Sequence, residues 1–281
     1  MMRKRTGLTL IELLVVIAII ALLMAILMPT LRQAKRQAKA VACQARLRQW
    51  GQICSLYIAD NDGQFFGWDE FFGPFFSLFH RDRHGNYWFG SYRRDRGEQL
   101  LCPTASKPRD WELPDPPAFL KLGDKSSAWA WFLTHPEEPW FIGSYGLNYW
   151  VLTVPASELG NNSDSASYPP VWRTCLVKGA SRVPVLLDCR VPHAAPQHNN
   201  DPPEHEDRPF ARSGAMWTFC SNRHDGGIHS LFMDWSVRRV GLKELWTLKW
   251  HRQYDTAGPW TRAGGVHAED WPEWMRRFKD Y

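Results

Sequence analysis

Residues 7–29 read GLTLIELLVVIAIIALLMAILMP, and one charged side chain, Glu12, interrupts an otherwise apolar run. Leu8–Met28 covers 21 residues. As a helix it is roughly 31 Å long, about the hydrocarbon thickness of a bilayer. It has no polar face, as a buried core helix would. It is longer than a secretory signal's apolar region and is not followed by a small-x-small cleavage site. The stretch reads as a membrane-spanning helix. Glu12 is then the anomaly, because a carboxylate at the centre of such a helix costs about 2.5–3.5 kcal/mol and usually marks function. Arg3, Lys4 and Arg5 lie about two helical turns upstream, beyond i,i+4 reach.

Outward from this helix, the apolar pattern changes period. Apolar or small residues recur at 31, 34, 38, 41 and 45, then at 47, 50, 54 and 57. These three- and four-residue steps predict an amphipathic helix over 30–58 that continues the span past Pro29. The sequence ADNDG at 59–63 predicts its end. The expected organisation is a short leader at 1–7, a helix over 8–60 and a head over 61–281, with no internal repeat and no second boundary within the head.

Bulk composition narrows the function classes. The net charge is +5, from 34 Lys+Arg against 29 Asp+Glu, yet three of the basic residues are Arg3, Lys4 and Arg5. Without them 31 would face 29. No basic stripe of the kind that binds nucleic acid is present elsewhere. The six cysteines lack the paired short spacings of a zinc motif. Cys43 and Cys54 lie eleven apart on the predicted helix, about 16 Å along its axis and too far to bridge. Cys102, Cys175, Cys189 and Cys220 allow three pairings in an exported head, and the sequence does not choose among them.

The segment RKRTGLTLIELLVVIAIIALLMAILMP, 3–29, resembles the class III signal of type IV prepilins and type II secretion pseudopilins. The resemblance rests on the short basic leader, Gly7, Thr9-Leu10-Ile11, and Glu12 five places after the glycine; Leu8 stands where Phe is usual. It implies cleavage between Gly7 and Leu8 by a prepilin peptidase that also N-methylates Leu8. It implies inner-membrane, single-pass insertion with a cytoplasmic N-terminus and an exported head, although the basic residues flanking the span nearly cancel by positive-inside counting. It also gives Glu12 a partner, the new α-amine of a neighbouring subunit, since a paired charge is tolerable in low dielectric. The implied fold is α+β and pilin-like: a long helix packed on an antiparallel β-rich head. The implied partners are the peptidase, other pilin-like subunits and the membrane.

In the head, short aromatic runs alternate with Pro, Gly and Asp. WDEFFGPFFSLF, NYWFGSY, SSAWAWFL and GSYGLNYWVLTV read as strands or short buried pieces. ELPDPP, NNSDSASYPP and PQHNNDPPEHEDR read as loops. VPVLLDC, 183–189, reads as a buried strand, and 226–240 as a hairpin turning near Asp234-Trp235. His224, nine residues and Asp234 resemble the C-terminal "His, nine residues, Asp-Gly" element of bacterial prepilin-type processing-associated proteins. Trp235 replaces the glycine, so the turn is expected to differ in detail. LRQWGQICSLYIADNDGQF, LLCPTASKP, SYGLNYW and WHRQYDTAGPW extend that resemblance along the chain.

His224, Asp225, His229 and Asp234 are candidate metal ligands by residue type. The odd spacing of His224 and His229 would put them on opposite faces of a strand, so a hairpin network with Asp234 capping the turn is preferred. The acidic loop 198–208, with Asp201, Glu204, Glu206 and Asp207, is the weak candidate for calcium; it has no EF-hand spacing and reads as a solvated loop. No cofactor is expected. No Gly-x-Ser-x-Gly, phosphate loop or His-Glu-x-x-His occurs, so a non-enzymatic, structural role is expected. Sixteen Trp could line a sugar cleft but more often fill a core or an interface. A tethered protein whose head binds polysaccharide or another envelope ligand is the alternative.

Overall fold

The structure, a computed structural model, describes residues 10–65, 100–108, 120–131, 141–152, 171–172, 174–206 and 214–281. Gly7, Leu8, Asp207, WDEFFGPFFSLF, NYWFGSY, ELPDPP and NNSDSASYPP lie outside these residues.

Helix α1 runs from Leu10 to Asp60 and continues through Pro29. The Thr30 hydroxyl donates to the Leu27 carbonyl at 2.8 Å, one turn back. The helix stops where the polar cluster begins. Asn61 and Gly63 donate their N–H groups to the Ile58 carbonyl, and the Asn61 side chain takes the Tyr57 carbonyl at 2.7 Å. Asp62 and Gly63 then take φ of 54° and 76°, the left-handed geometry that reverses a chain after a helix.

The two halves of α1 face different surroundings. From Leu10 to Leu31 its large apolar side chains are exposed. From Cys43 onward one face is buried: Cys43, Leu47, Trp50, Gly51, Cys54, Tyr57 and Ile58. The expected stripe at 31, 34, 38, 41 and 45 is not covered; Leu31 is 70% exposed and Val41 64%. Among the described residues, the face of the helix buried by the head begins at Cys43.

The head holds two sheets. Strands β1 (Leu120–Lys121), β2 (Trp129–Trp131) and β3 (Phe141–Gly143) form a small antiparallel sheet. Strands β4 (Tyr145–Asn148), β5 (Pro184–Asp188), β6 (His193–Ala194), β7 (Gly227–Phe232) and β8 (Val237–Gly241) form the main one, in the order β6-β4-β5-β7-β8. Every residue of β5 and β7 is buried, so the sheet is covered on both faces. α1 packs on β7 and β8. The closest approach is at Gly51, where a Cβ would stand 2.9 Å from Leu231 Cδ1.

One pairing departs from the antiparallel expectation: β6 runs parallel to β4. After β5 the chain hooks over β4 within four residues and pairs on its far side. Gly146 makes room for that crossing, since a Cβ there would meet the Val191 carbonyl oxygen at 2.5 Å and Cys189 Sγ at 2.7 Å. The run after β4 is likewise not all strand; Tyr149–Val151 is a 3-10 turn whose cap is the Asn148 side chain.

Tryptophan fills the core. Trp129, Trp246, Trp250 and Trp271 are fully buried, in one apolar cluster with Leu47, Leu187, Phe219, Phe232 and Met275, the last from the short helix α2 (Glu273–Arg276). Three of their indole N–H groups reach carbonyls: Trp129 to Tyr145 at 3.2 Å, and Trp246 to Asn200 and Trp250 to Leu245, both at 2.8 Å.

Two histidines in this region carry a pH dependence. Burial pulls His193 and His251 down to about 4. Both are therefore neutral in the fold, whereas in the unfolded chain they take up protons below about pH 6.5. Their contribution is complete above pH 6.5 and lost as pH falls toward 4, on the order of 2 kcal/mol each. Thermal midpoints of the full chain in detergent should fall from pH 7 to pH 5. The slope should flatten in the His193→Gln/His251→Gln double variant; an equal slope in both proteins would contradict the assignment.

Candidate functional site

Four separate segments bring titratable side chains to one buried point beneath α1. The helix supplies Cys43, on the same face as Leu47 and Trp50. Arg46, one turn further on, donates to the Leu101 carbonyl and so ties the helix to the LLCPT turn. That turn closes with Ala105 N–H on the Cys102 carbonyl at 2.9 Å, while Cys102 N–H donates to Ser144 Oγ. Cys102 is thereby held against Cys43. Asp188 ends β5. In β7 the His229 N–H donates to its Oδ2 at 2.9 Å, so a carboxylate stands where a strand carbonyl would.

His224 arrives from the turn before β7. Asp225 and Gly226 have φ of 48° and 85°, which reverses the chain between His224 and the strand. Arg239 of β8 holds this turn by donating to the His224 carbonyl at 3.0 Å and to that of Asp225. The turn overturns the opposite-faces expectation for His224 and His229. His224 lies outside the strand, the alternation rule does not reach it, and the two rings meet at a 42° tilt with centroids 4.0 Å apart.

The distances are short throughout. Cys102 Sγ is 3.4 Å from His224 Nε2. His224 Nε2 is 3.2 Å from Asp188 Oδ2, and Cys43 Sγ is 3.8 Å from the same oxygen. The ligand atoms of Cys43, Cys102, Asp188 and His224 all lie within 4.8 Å of one another. Around them, the Tyr145 hydroxyl donates to Cys43 Sγ at 3.2 Å. The Arg223 guanidinium donates to Asp188 Oδ1 at 3.2 Å with neither side chain exposed, and to the carbonyls of Ser144, Cys189 and Asp124.

Electrostatics follow from this packing. Burial opposes the charged form of Asp188, but His224, then Arg223, outweigh it and hold the carboxyl well below its usual range. Burial likewise opposes a charged His224; the adjacent Asp188 carboxylate raises it to about 9. Burial, the Cys102 hydrogen bond and the nearby carboxylate keep Cys43 a thiol. Burial would do the same to Cys102, but hydrogen bonding from Cys43 and His224 brings it down to about 6. His229, buried beside cationic His224, is pulled down to about 4.

The remaining candidate residues lie elsewhere. Asp234 caps the β7–β8 turn, accepting from Ser236 N–H at 3.0 Å and its hydroxyl at 2.6 Å. Trp235 adopts φ 66°, the left-handed region that favours glycine. Asp225 is exposed beside Arg36. In the acidic loop Asp201 and Glu204 are exposed, and Glu206 accepts from Asn222 at 2.8 Å with Lys125 and Arg277 within 4.0 Å.

All six cysteines are free of disulfides. Cys102 faces Cys43, outside the set of four considered for pairing, and Cys189 donates to the Thr218 carbonyl at 3.3 Å. Cys43, Cys102, Asp188, Arg223 and Tyr145 were not legible as a site in the sequence. The one local signal is Asp188 itself, a charge closing the apolar run VPVLL.

Comparison with known families matches residues 2–28 to the prokaryotic N-terminal methylation motif. The chain carries a prepilin-type cleavage and methylation segment. Its α+β arrangement, a long apolar helix leading a sheet-rich head, is pilin-like. That segment is of the kind that leads prepilin-like subunits, pilins and pseudopilins, and among the described residues one N-terminal helix is long and apolar enough to cross a membrane. Comparisons with curated proteins and with solved structures return no match.

Proposed function

We propose that the chain is a pilin-like structural subunit, cut after Gly7, N-methylated at Leu8, and incorporated into a type II secretion or type IV pilus-like assembly. The observation that carries this reading is the coincidence of two features. The methylation motif covers residues 2–28, and the helix it leads into exposes its large apolar side chains from Leu10 to Leu31. A helix that exposes apolar residues all round sits in lipid or against other helices. In a filament it does the second after doing the first.

Glu12 lies in the first described turn of α1. Cleavage at Gly7 would create a positive amine at Leu8 for a neighbour's Glu12 to neutralise. The head, residues 61–281, is bulky for a subunit repeated at every position of a filament, which favours a minor, tip-like role. The likeness to prepilin-type processing-associated proteins points the same way on architecture.

Mass spectrometry of the N-terminal peptide from membrane-extracted protein should show a chain beginning at methylated Leu8. A chain beginning at Met1 or Met2 would displace this reading in favour of a tethered envelope-binding protein. Glu12→Val should leave expression and membrane insertion intact and remove the protein from sheared filaments or cross-linked subunit ladders. Unchanged assembly in that variant would count against the amine–carboxylate pairing.

A further inference from the structure

We propose that Cys43, Cys102, Asp188 and His224 form a structural zinc site that clamps the stem helix to the head. The inference goes beyond the pilin-like reading and does not depend on filament assembly.

Geometry carries it. A tetrahedral zinc with Zn–S of about 2.3 Å and Zn–N and Zn–O of about 2.1 Å has S–N and S–O edges of about 3.6 Å and an N–O edge of about 3.4 Å. The cluster shows 3.4 Å from Cys102 Sγ to His224 Nε2, 3.8 Å from Cys43 Sγ to Asp188 Oδ2, and 3.2 Å from His224 Nε2 to that oxygen. Three edges of the tetrahedron are thus in place to within about 0.2 Å. The other pairs lie within 4.8 Å, so an ion closes the cage with small side-chain shifts.

The donor set suits zinc. Two thiolates, an imidazole and a carboxylate are a mix of soft and borderline ligands that calcium and magnesium do not select. Four protein ligands fill the tetrahedron and leave no open position, the mark of a structural site. Charge also closes. Two thiolates, one carboxylate and Zn²⁺ sum to one negative charge, and the Arg223 guanidinium on Asp188 Oδ1 cancels it.

The surroundings are those that orient metal ligands. Arg223 and the His229 N–H fix the two oxygens of Asp188, and the Tyr145 hydroxyl donates to Cys43 Sγ. A Cys43–Cys102 disulfide is the competing chemistry, since the sulfurs are close and the head is expected to be exported. It would leave the convergence of Asp188 and His224 on the same point without a role.

The consequence is mechanical. One ligand comes from α1 and three from the head, so the binding energy of the ion holds the helix in its docked position.

The test uses full-length protein extracted in detergent, purified without chelator or histidine tag and then exposed to one equivalent of zinc. Elemental analysis after desalting should give one zinc per chain. Denaturation in chelator should then release six reactive thiols. Cobalt exchanged into the wild-type protein should show thiolate-to-metal charge transfer and the visible bands of tetrahedral coordination. Cys102→Ser and His224→Ala should each lower retained zinc by about tenfold or more. Because these variants also disturb the core, the wild-type cobalt spectrum decides independently of their folding. A zinc-free protein with a Cys43–Cys102 cross-linked peptide overturns the proposal. So does bound cobalt lacking sulfur charge transfer, or zinc retained in full by a folded Cys43→Ser/Cys102→Ser variant.

Discussion

Asp188→Ala should destabilise the head by about 3–5 kcal/mol, the cost of breaking a buried ion pair from one side. The carboxylate answers three groups at once: the Arg223 guanidinium at 3.2 Å, His224 Nε2 at 3.2 Å and the His229 N–H at 2.9 Å. Removing it strands a guanidinium none of whose side chain reaches solvent. The carbonyls of Cys189 and Asp124 still accept its hydrogen bonds at 2.8 and 3.1 Å, but they carry no net charge to offset it. Against a typical total stability of 5–15 kcal/mol, this loss leaves little margin. Denaturant titration of the full chain in detergent measures it. Asp188→Asn, which keeps shape and one acceptor while losing charge, should fall between wild type and alanine. A loss under about 1 kcal/mol for alanine would show that the buried charges rearrange or neutralise instead.

Leu47→Ala should cost about 2–5 kcal/mol, the range for truncating a fully buried leucine. Leu47 has no exposed surface, and it sits one turn beyond Cys43 on the face of α1 that meets the head. Val41, only six residues earlier, is 64% exposed. Val41→Ala should therefore shift stability by no more than about 0.5 kcal/mol in the monomer. The pair separates helix docking from helix propensity, because alanine favours the helix at both positions. The observable is the unfolding midpoint together with protease sensitivity of the stem. Equal effects at 41 and 47 would mean that the head does not select this face.

Local signals in the sequence carried the elements that local physics controls. The apolar run at 8–28 reads as a span because only Thr9 and Glu12 in it are polar. The helix end at ADNDG was legible because Asn, Asp and Gly accept the turn geometry that Asp62 and Gly63 adopt. β5 and the β7–β8 hairpin were legible because apolar content and turn chemistry sit next to one another in the chain. What covers the stripe at 31–45 was not legible for a related reason. Periodicity shows that a face is apolar, not what covers it, and Leu31 and Val41 are 70% and 64% exposed.

The buried cluster was beyond sequence reasoning because its members are far apart along the chain. Cys43 and Asp188 are 145 residues apart, and Cys102 and His224 are 122 apart. Spacing rules find ligands that share one helix or one turn; these share none. The His224–His229 pair failed more instructively. Alternation holds only within a strand, and two residues of positive φ, Asp225 and Gly226, lie between them.

By itself, then, the sequence determined the anchor, the processing motif, the stem and most strand positions, since each follows from side chains within a few residues of one another. Tertiary structure alone decided which face of the stem is buried, that β6 returns parallel to β4, and that a thiol of the stem meets a thiol, a carboxylate and an imidazole of the head. Those outcomes depend on how distant segments share one core, and hydrophobic burial, being non-directional, writes no local signal for that.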